Sequence, residues 1–195
     1  MVKTRKALWT ILVVAALGAL AAVGAFSAFS DTTSNDNNTI TAGNVTIGDN
    51  DSGSAAYSLS AAKPGDSASK CIKVTYSGNL AASVKLYRSA FSGSTGLESD
   101  VDLTITKGTG NNTDCSDFTP AASGSSIYAT AALSSFSATS WSNGIALTNA
   151  GGSATWSQND AVTYKIAGTL RSTAASTDQG LTTGTHSFTW EAQNN

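Results

Sequence analysis

Apolar residues recur at every second position in segment after segment of this chain, and this alternation constrains the fold more than any other feature. In CIKVTYSG, Ile72, Val74 and Tyr76 share one face, and AVTYKIAGTLRS and HSFTWEAQ alternate in the same way. Successive side chains of a β-strand point to opposite faces, so each segment predicts a strand with one buried face. Turn sequences such as KPGD, YSGN and NAGG separate the segments.

About eight such strands are predicted over residues 39–195. They include NVTIG, AYSLS and SIYATAALSSF, the last with Ile127, Ala129, Ala131 and Leu133 on one face. Strands that each carry one apolar face bury it by packing sheet on sheet or by closing into a barrel. We therefore predict an all-β domain, an antiparallel β-sandwich of jelly-roll type, whose strand order the pattern leaves open.

The first 27 residues have the organisation of a signal peptide. Three basic residues precede an uncharged, strongly apolar stretch, which is followed by a tract of Ser, Thr, Asn and Asp. The stretch is long enough to cross about 30 Å of hydrocarbon, so a retained membrane anchor is the alternative. No Lys or Arg follows it, however, and AFS fits the small-x-small cleavage pattern. We predict a signal-peptide helix over residues 1–27, cut between Ser27 and Ala28.

Charge and composition narrow the class of protein further. The chain has 11 basic and 13 acidic residues, and cleavage removes three of the basic ones. The remaining chain is acidic and has no basic stripe, which argues against nucleic acid as a partner. Membrane contact is predicted only before cleavage, and the protein is expected to be secreted, extracellular or at the cell surface.

Two cysteines, Cys71 and Cys115, are expected to form a disulfide because exported proteins fold in oxidising compartments. The closed loop corresponds to about 4 kcal/mol in the chain-entropy treatment of disulfides. Two buried free thiols are the alternative.

The sequence offers little for catalysis. His186 is the only histidine, and neither an HExxH nor a G-x-S-x-G motif is present. We predict that His186 is a surface residue on a strand, facing away from Phe188, and that the protein is no enzyme and needs no cofactor. In DNDSG, Asp49 and Asp51 offer alternating oxygens and form a weak calcium candidate; a tight turn without metal is the favoured interpretation.

Three tryptophans would form a sugar-stacking surface if they were exposed together: Trp141, Trp156 and Trp190. Trp190 alternates with predicted core residues and is expected to pack inside. Trp141 and Trp156 flank loop-like stretches, and their environment stays open. Burial is the commoner role of tryptophan in a sandwich.

Two sequence blocks resemble the TasA/camelysin family of bacterial and archaeal exported proteins. The first is GAFSAFSDTTSNDNNTITAGNVTIGD, and the second is AAKPGDSASKCIKVTYSGNLAASVKLY; HSFTWEAQNN is similar to the family's last strand. Residues 89–155 match only by strand pattern. The matching positions are Gly24, Ala28, Phe29, Asp31, Gly43, Val45, Ile47, Pro64, Gly65, Asp66, Gly78, Val84 and Leu86.

The resemblance implies a jelly-roll domain exported through a SipW-type signal peptidase and assembled into extracellular biofilm-matrix fibres. Its partners would be copies of itself and other matrix components. It also implies that an N-terminal arm adds a donor strand to the next subunit. We place this arm at residues 28–38 and take Phe29 as its anchor, because Ala28 and Phe29 are the only apolar residues before Ile40; a disordered terminus is the alternative. Some family members are classed as metallopeptidases, but this chain lacks the histidines for such a site. A monomeric cell-surface adhesive or binding domain and a secreted metallopeptidase are the alternative functions.

Overall fold

The computed structural model describes residues 41–194, and within them the chain is all-β, with ten strands in two antiparallel sheets. The predicted signal peptide and arm, with Ser27, Ala28 and Phe29, lie outside the described residues. The strands are β1 (Ile47–Asp49), β2 (Ser67–Tyr76), β3 (Ala82–Arg88), β4 (Val101–Thr109), β5 (Thr119–Pro120), β6 (Ser126–Ala132), β7 (Ile145–Leu147), β8 (Thr155–Trp156), β9 (Ala161–Leu170) and β10 (Phe188–Asn194).

The larger sheet has six strands in the order β1-β2-β9-β4-β5, with β6 also paired to β4. The smaller sheet has four strands in the order β10-β3-β7, with β8 also paired to β3. The chain passes from one sheet to the other five times, after β2, β3, β6, β8 and β9. The two-sheet all-β architecture is thus confirmed, and the jelly-roll type stays a prediction.

The core lies between the two sheets and is built from the alternating residues of the long strands. Ile72, Val74 and Tyr76 are each at most 1% exposed, which confirms the face predicted for β2. Trp156 on β8 is fully buried, and its indole Nε1 donates to the Leu147 carbonyl at 3.4 Å. Inward-facing residues of both sheets belong to a single apolar cluster.

Two strand predictions differ from the structure. AYSLS forms no strand; its Tyr57 instead packs against Gly168, where an added Cβ would lie 3.2 Å from the ring. The pairing of β6 with β4 shifts register twice, so the predicted single face of β6 is wrong. Such bulges place an extra residue on one strand and interrupt the alternation of its side chains. Leu133 is buried, as expected, but it lies in a 3-10 turn after β6.

The two flanks of the sandwich, where the sheet edges face each other, are closed differently. On one flank, the connection between β6 and β7 runs along the opening, with Leu133 and Phe136 buried and the Arg88 amide donating to the Ala138 carbonyl at 3.0 Å. On the other flank, β1 and β10 are the edge strands of their sheets. Tyr57 fills part of this second flank, and the remainder is the candidate site described next.

Candidate functional site

The outer edge of β10 carries no strand partner within residues 41–194. β10 pairs with β3 over all seven of its residues, from Phe188↔Arg88 to Asn194↔Ala82. It is the last strand of its sheet on that side. A strand edge of this kind presents a row of N–H and C=O groups to an incoming chain.

The ladder register shows which peptide groups of β10 face outward. The Ser89 amide donates to the Ser187 carbonyl at 2.9 Å, so the odd-numbered residues that follow Ser187 bond to β3. The peptide groups of the even-numbered residues therefore point away from β3. These are Phe188, Trp190, Ala192 and Asn194.

A cleft of about 180 Å³ separates the free edge of β10 from β1 on the opposite sheet. Ile47 and Val74 form its apolar wall on one side, and Phe188 and Trp190 form the other. The inward faces of Phe188 and Trp190 also pack against the core. Asp49 and Thr189 add polar groups to its lining, so the cleft is a groove of mixed polarity beside an unpaired strand edge, which we call the β1–β10 groove.

The disulfide lies at the outer edge of β2. The strand β1 is only three residues long, so it leaves most of that edge without a strand partner. Cys71 on β2 is bonded to Cys115 in the loop after β4, with their Cα atoms 5.1 Å apart, so the predicted pairing is confirmed. The bond holds this loop against β2, where the Cys71 amide donates to the Thr113 carbonyl at 3.0 Å. A disulfide also indicates an oxidising compartment.

The Asp49–Asp51 segment forms a turn, and calcium binding by it stays a weak candidate. The Ser54 amide donates to the Asp51 carbonyl at 3.1 Å, and the Gly53 amide donates to an Asp51 carboxylate oxygen at 2.8 Å. Asp49 accepts from the Asp51 amide at 3.2 Å, so both carboxylates serve the local backbone. Within the described part of the chain, no three His, Cys, Asp or Glu side chains are grouped to hold a metal ion.

His186 is not a surface residue on a strand facing away from Phe188, and that prediction is wrong. It lies half-buried in the connection before β10, with its ring 5.7 Å from Phe188 and 5.1 Å from Phe91. Residues two apart in an extended chain point to the same side, which brings His186 and Phe188 together. Nε2 lies 2.5 Å from the Tyr57 hydroxyl, so Tyr57 is held in the flank beside the β1–β10 groove.

Protonation of His186 is unfavourable in this cluster. Burial and the nearby Arg88 guanidinium lower the pKa of His186 below its usual value, while the Gly184 main chain acts in the opposite direction. Burial also raises the pKa of Tyr57, which keeps its hydroxyl neutral and able to donate to Nε2. The hydrogen bond between the two side chains ties Tyr57 to the segment that precedes β10.

We expect the free energy of unfolding to fall as the pH drops below about 6.5, the ordinary pKa of histidine. Because folding lowers the pKa of His186, the unfolded chain binds a proton at this residue more readily than the folded chain. The contribution of neutral His186 to stability is therefore complete above pH 6.5. It decreases as the pH falls from 6.5 toward the folded-state pKa. Denaturant titrations between pH 7 and pH 5 measure the slope. His186→Gln should flatten it, and an equal slope in both chains would contradict a role for His186.

The three tryptophans are not exposed together. Trp156 is fully buried, and Trp190 faces inward with its ring 5.8 Å from that of Tyr164, as predicted for Trp190. Trp141 lies at the surface in a 3-10 turn, with the Lys85 ammonium 4.8 Å from its ring centroid. The sugar-stacking surface of three tryptophans therefore does not exist.

Fold and groove together define a class of protein: a disulfide-bonded, two-sheet β-sandwich in which β10 is one of the edge strands. No family model matches the chain, and no curated protein matches it. Within residues 41–194, no helix combines the length and apolar character needed to cross a membrane.

Proposed function

We propose that the chain is a secreted structural subunit of extracellular filaments, in which the N-terminal arm of one subunit pairs with β10 of its neighbour. The observation that carries this proposal is the free outer edge of β10. Adding a strand to such an edge satisfies backbone groups along its whole length, and side-chain pockets supply specificity. The resemblance to TasA/camelysin proteins supports the same function in a biofilm matrix, and a jelly-roll type of sandwich.

The lengths of the two partners are compatible. β10 has seven residues, which span about 23 Å in an extended strand. The proposed arm, residues 28–38, is longer than β10 and contains no proline, so its amides can donate all along the edge. Its Ser, Thr and Asn residues suit the solvent-facing side of an added strand.

The β1–β10 groove offers a pocket for an aromatic anchor. The arm contains only two apolar residues, Ala28 and Phe29, and Phe29 is the larger. Ile47, Val74 and Trp190 would surround an apolar side chain inserted there. Buried aromatic residues of this kind dominate the energetics of many interfaces.

The arm can be tested by removing it. A chain that begins at Thr39 should fold and keep its disulfide, because the core and both cysteines lie in residues 41–194. It should remain monomeric, whereas the chain that begins at Ala28 should form filaments. Negative-stain electron microscopy and sedimentation velocity of both chains measure this difference. Filaments of the same form from both chains would show that the arm is not the joint.

The two alternatives give different results in the same preparation. Uniform monomers of the chain that begins at Ala28 would support a cell-surface adhesive or binding domain. Casein cleavage that is lost on adding a chelator would support a secreted metallopeptidase. The described residues provide no grouped metal ligands, and the function that we propose is structural rather than enzymatic.

A further inference from the structure

The outer face of the smaller sheet carries half-buried aromatic and polar side chains, of which Tyr87 also contacts the edge of the core. Burial alternates along β3, and its even-numbered residues, which include Leu86 and Arg88, are buried. The odd-numbered Lys85 and Tyr87 therefore point to the outer face of the sheet. Glu191 lies opposite Lys85 on β10, and Trp141 lies beside Lys85. We call Tyr87, Lys85, Glu191, Gln193 and Trp141 the polar–aromatic face.

Hydrogen bonds hold these side chains in fixed positions. The Tyr87 hydroxyl donates to one Glu191 carboxylate oxygen at 2.6 Å, and the Gln193 amide donates to the other at 2.7 Å. The Lys85 ammonium donates to the Trp141 carbonyl at 3.1 Å instead of forming an ion pair with Glu191. A surface whose groups are already positioned loses little entropy when it binds a ligand.

The chemistry of the face selects among classes of partner. One ammonium and one carboxylate balance each other, so the face lacks the positive charge that a nucleic acid or another polyanion needs. Its exposed groups include no Leu, Ile, Val or Met, which the apolar centre of a protein interface would use. Two aromatic rings with a fixed carboxylate, amide and phenol suit a ligand that has both apolar C–H faces and many hydroxyls.

We infer that the polar–aromatic face binds a neutral polysaccharide chain. The sugar rings would pack against Tyr87 and Trp141, and their hydroxyls would bond to Glu191, Gln193 and Lys85. This surface lies on the smaller sheet's outer side, whereas the β1–β10 groove is on the sandwich flank. Glycan binding would therefore add to filament formation rather than replace it, and a filament would present many copies of the face.

Retention of the chain that begins at Ala28 on cellulose, chitin and cross-linked dextran beads tests the inference. The wild-type chain should be retained on at least one of them. Trp141→Ala and Tyr87→Ala should each weaken retention about tenfold, as expected for aromatic residues that contact a ligand. Tyr87→Phe keeps the ring and should retain more binding than Tyr87→Ala.

Matched variants separate this result from misfolding and from filament formation. Thr104→Ala changes an outward residue of the other sheet, whose hydroxyl bonds to that of Thr130 on the neighbouring strand, and should bind like the wild type. Unfolding temperatures of all variants check the fold. Three results would each overturn the inference. The wild-type chain could pass through all three materials, or Trp141→Ala could be retained as strongly as the wild type. The third result is that the aromatic variants lose self-association while their retention is unchanged.

Discussion

Replacing Ala192 by proline should abolish filament growth while leaving the domain folded. The Ala192 amide points away from β3, toward the unpaired edge of the sheet. Proline at this position therefore removes a hydrogen-bond donor that β3 does not use. Edge strands tolerate proline where the N–H faces away from the sheet. An incoming arm, by contrast, loses one of its hydrogen bonds and meets the pyrrolidine ring at the edge. Electron microscopy of the chain that begins at Ala28, with and without the substitution, measures the effect.

The adjacent residue provides the matched control. Gln193 lies on the ladder side of β10, opposite Ser83, so Gln193→Pro removes a hydrogen bond within the sheet. It should lower the free energy of unfolding by about 1–3 kcal/mol. Normal filaments from Ala192→Pro would rule out β10 as the acceptor edge. If the wild-type chain itself forms no filaments, the proposed function fails independently of which edge is involved.

Replacing Cys71 by serine should lower the free energy of unfolding by about 2–5 kcal/mol. The bond closes a loop over 44 positions, so its loss gives the unfolded chain much more freedom. For a domain of this size, about 3 kcal/mol corresponds to a fall in melting temperature of about 6–12 °C. Calorimetry of the oxidised wild type and the variant measures the difference.

Two comparisons separate the bond from the side chain. Cys71→Ser and Cys115→Ser should destabilise the domain to similar extents, and the reduced wild type should resemble both. The loop after β4 should also become more accessible to protease, because the disulfide holds it beside β2. An unchanged melting temperature in the reduced protein would contradict a stabilising role for the bond.

The two sheets therefore protect their edges by different means. In the larger sheet, the short β1 and the disulfide-bound loop cover β2, with the Lys73 amide donating to the Asn50 side chain at 2.8 Å. In the smaller sheet, β7 and β8 cover one side of β3, and β10 forms the other margin. Exposed strand edges favour self-association, so the unpaired edge of β10 is consistent with the proposed strand pairing.

Local chemistry allowed several features to be predicted from the sequence alone. Side-chain alternation is a property of each extended segment, so the inward faces of β2 and β9 follow from their residues. Pro64 and Gly65 likewise predict their own turn, in which Gly65 has φ 95° and the Asp66 amide donates to the Lys63 carbonyl at 2.9 Å. The disulfide followed from the chain having only two cysteines.

Only the tertiary structure decided which residues share an environment. His186 and Tyr57 are far apart in the chain, and the sequence pattern assigned both to strands, yet long-range packing joins them in one aromatic cluster. Trp141 and Trp156 stand in similar loop-like stretches, but strand pairing buries Trp156 completely, whereas Trp141 stays half-buried in a 3-10 turn. The tertiary structure also determined that β10 is an edge strand of its sheet. Strand order depends on contacts between distant segments, and the alternation of side chains within one segment does not encode them.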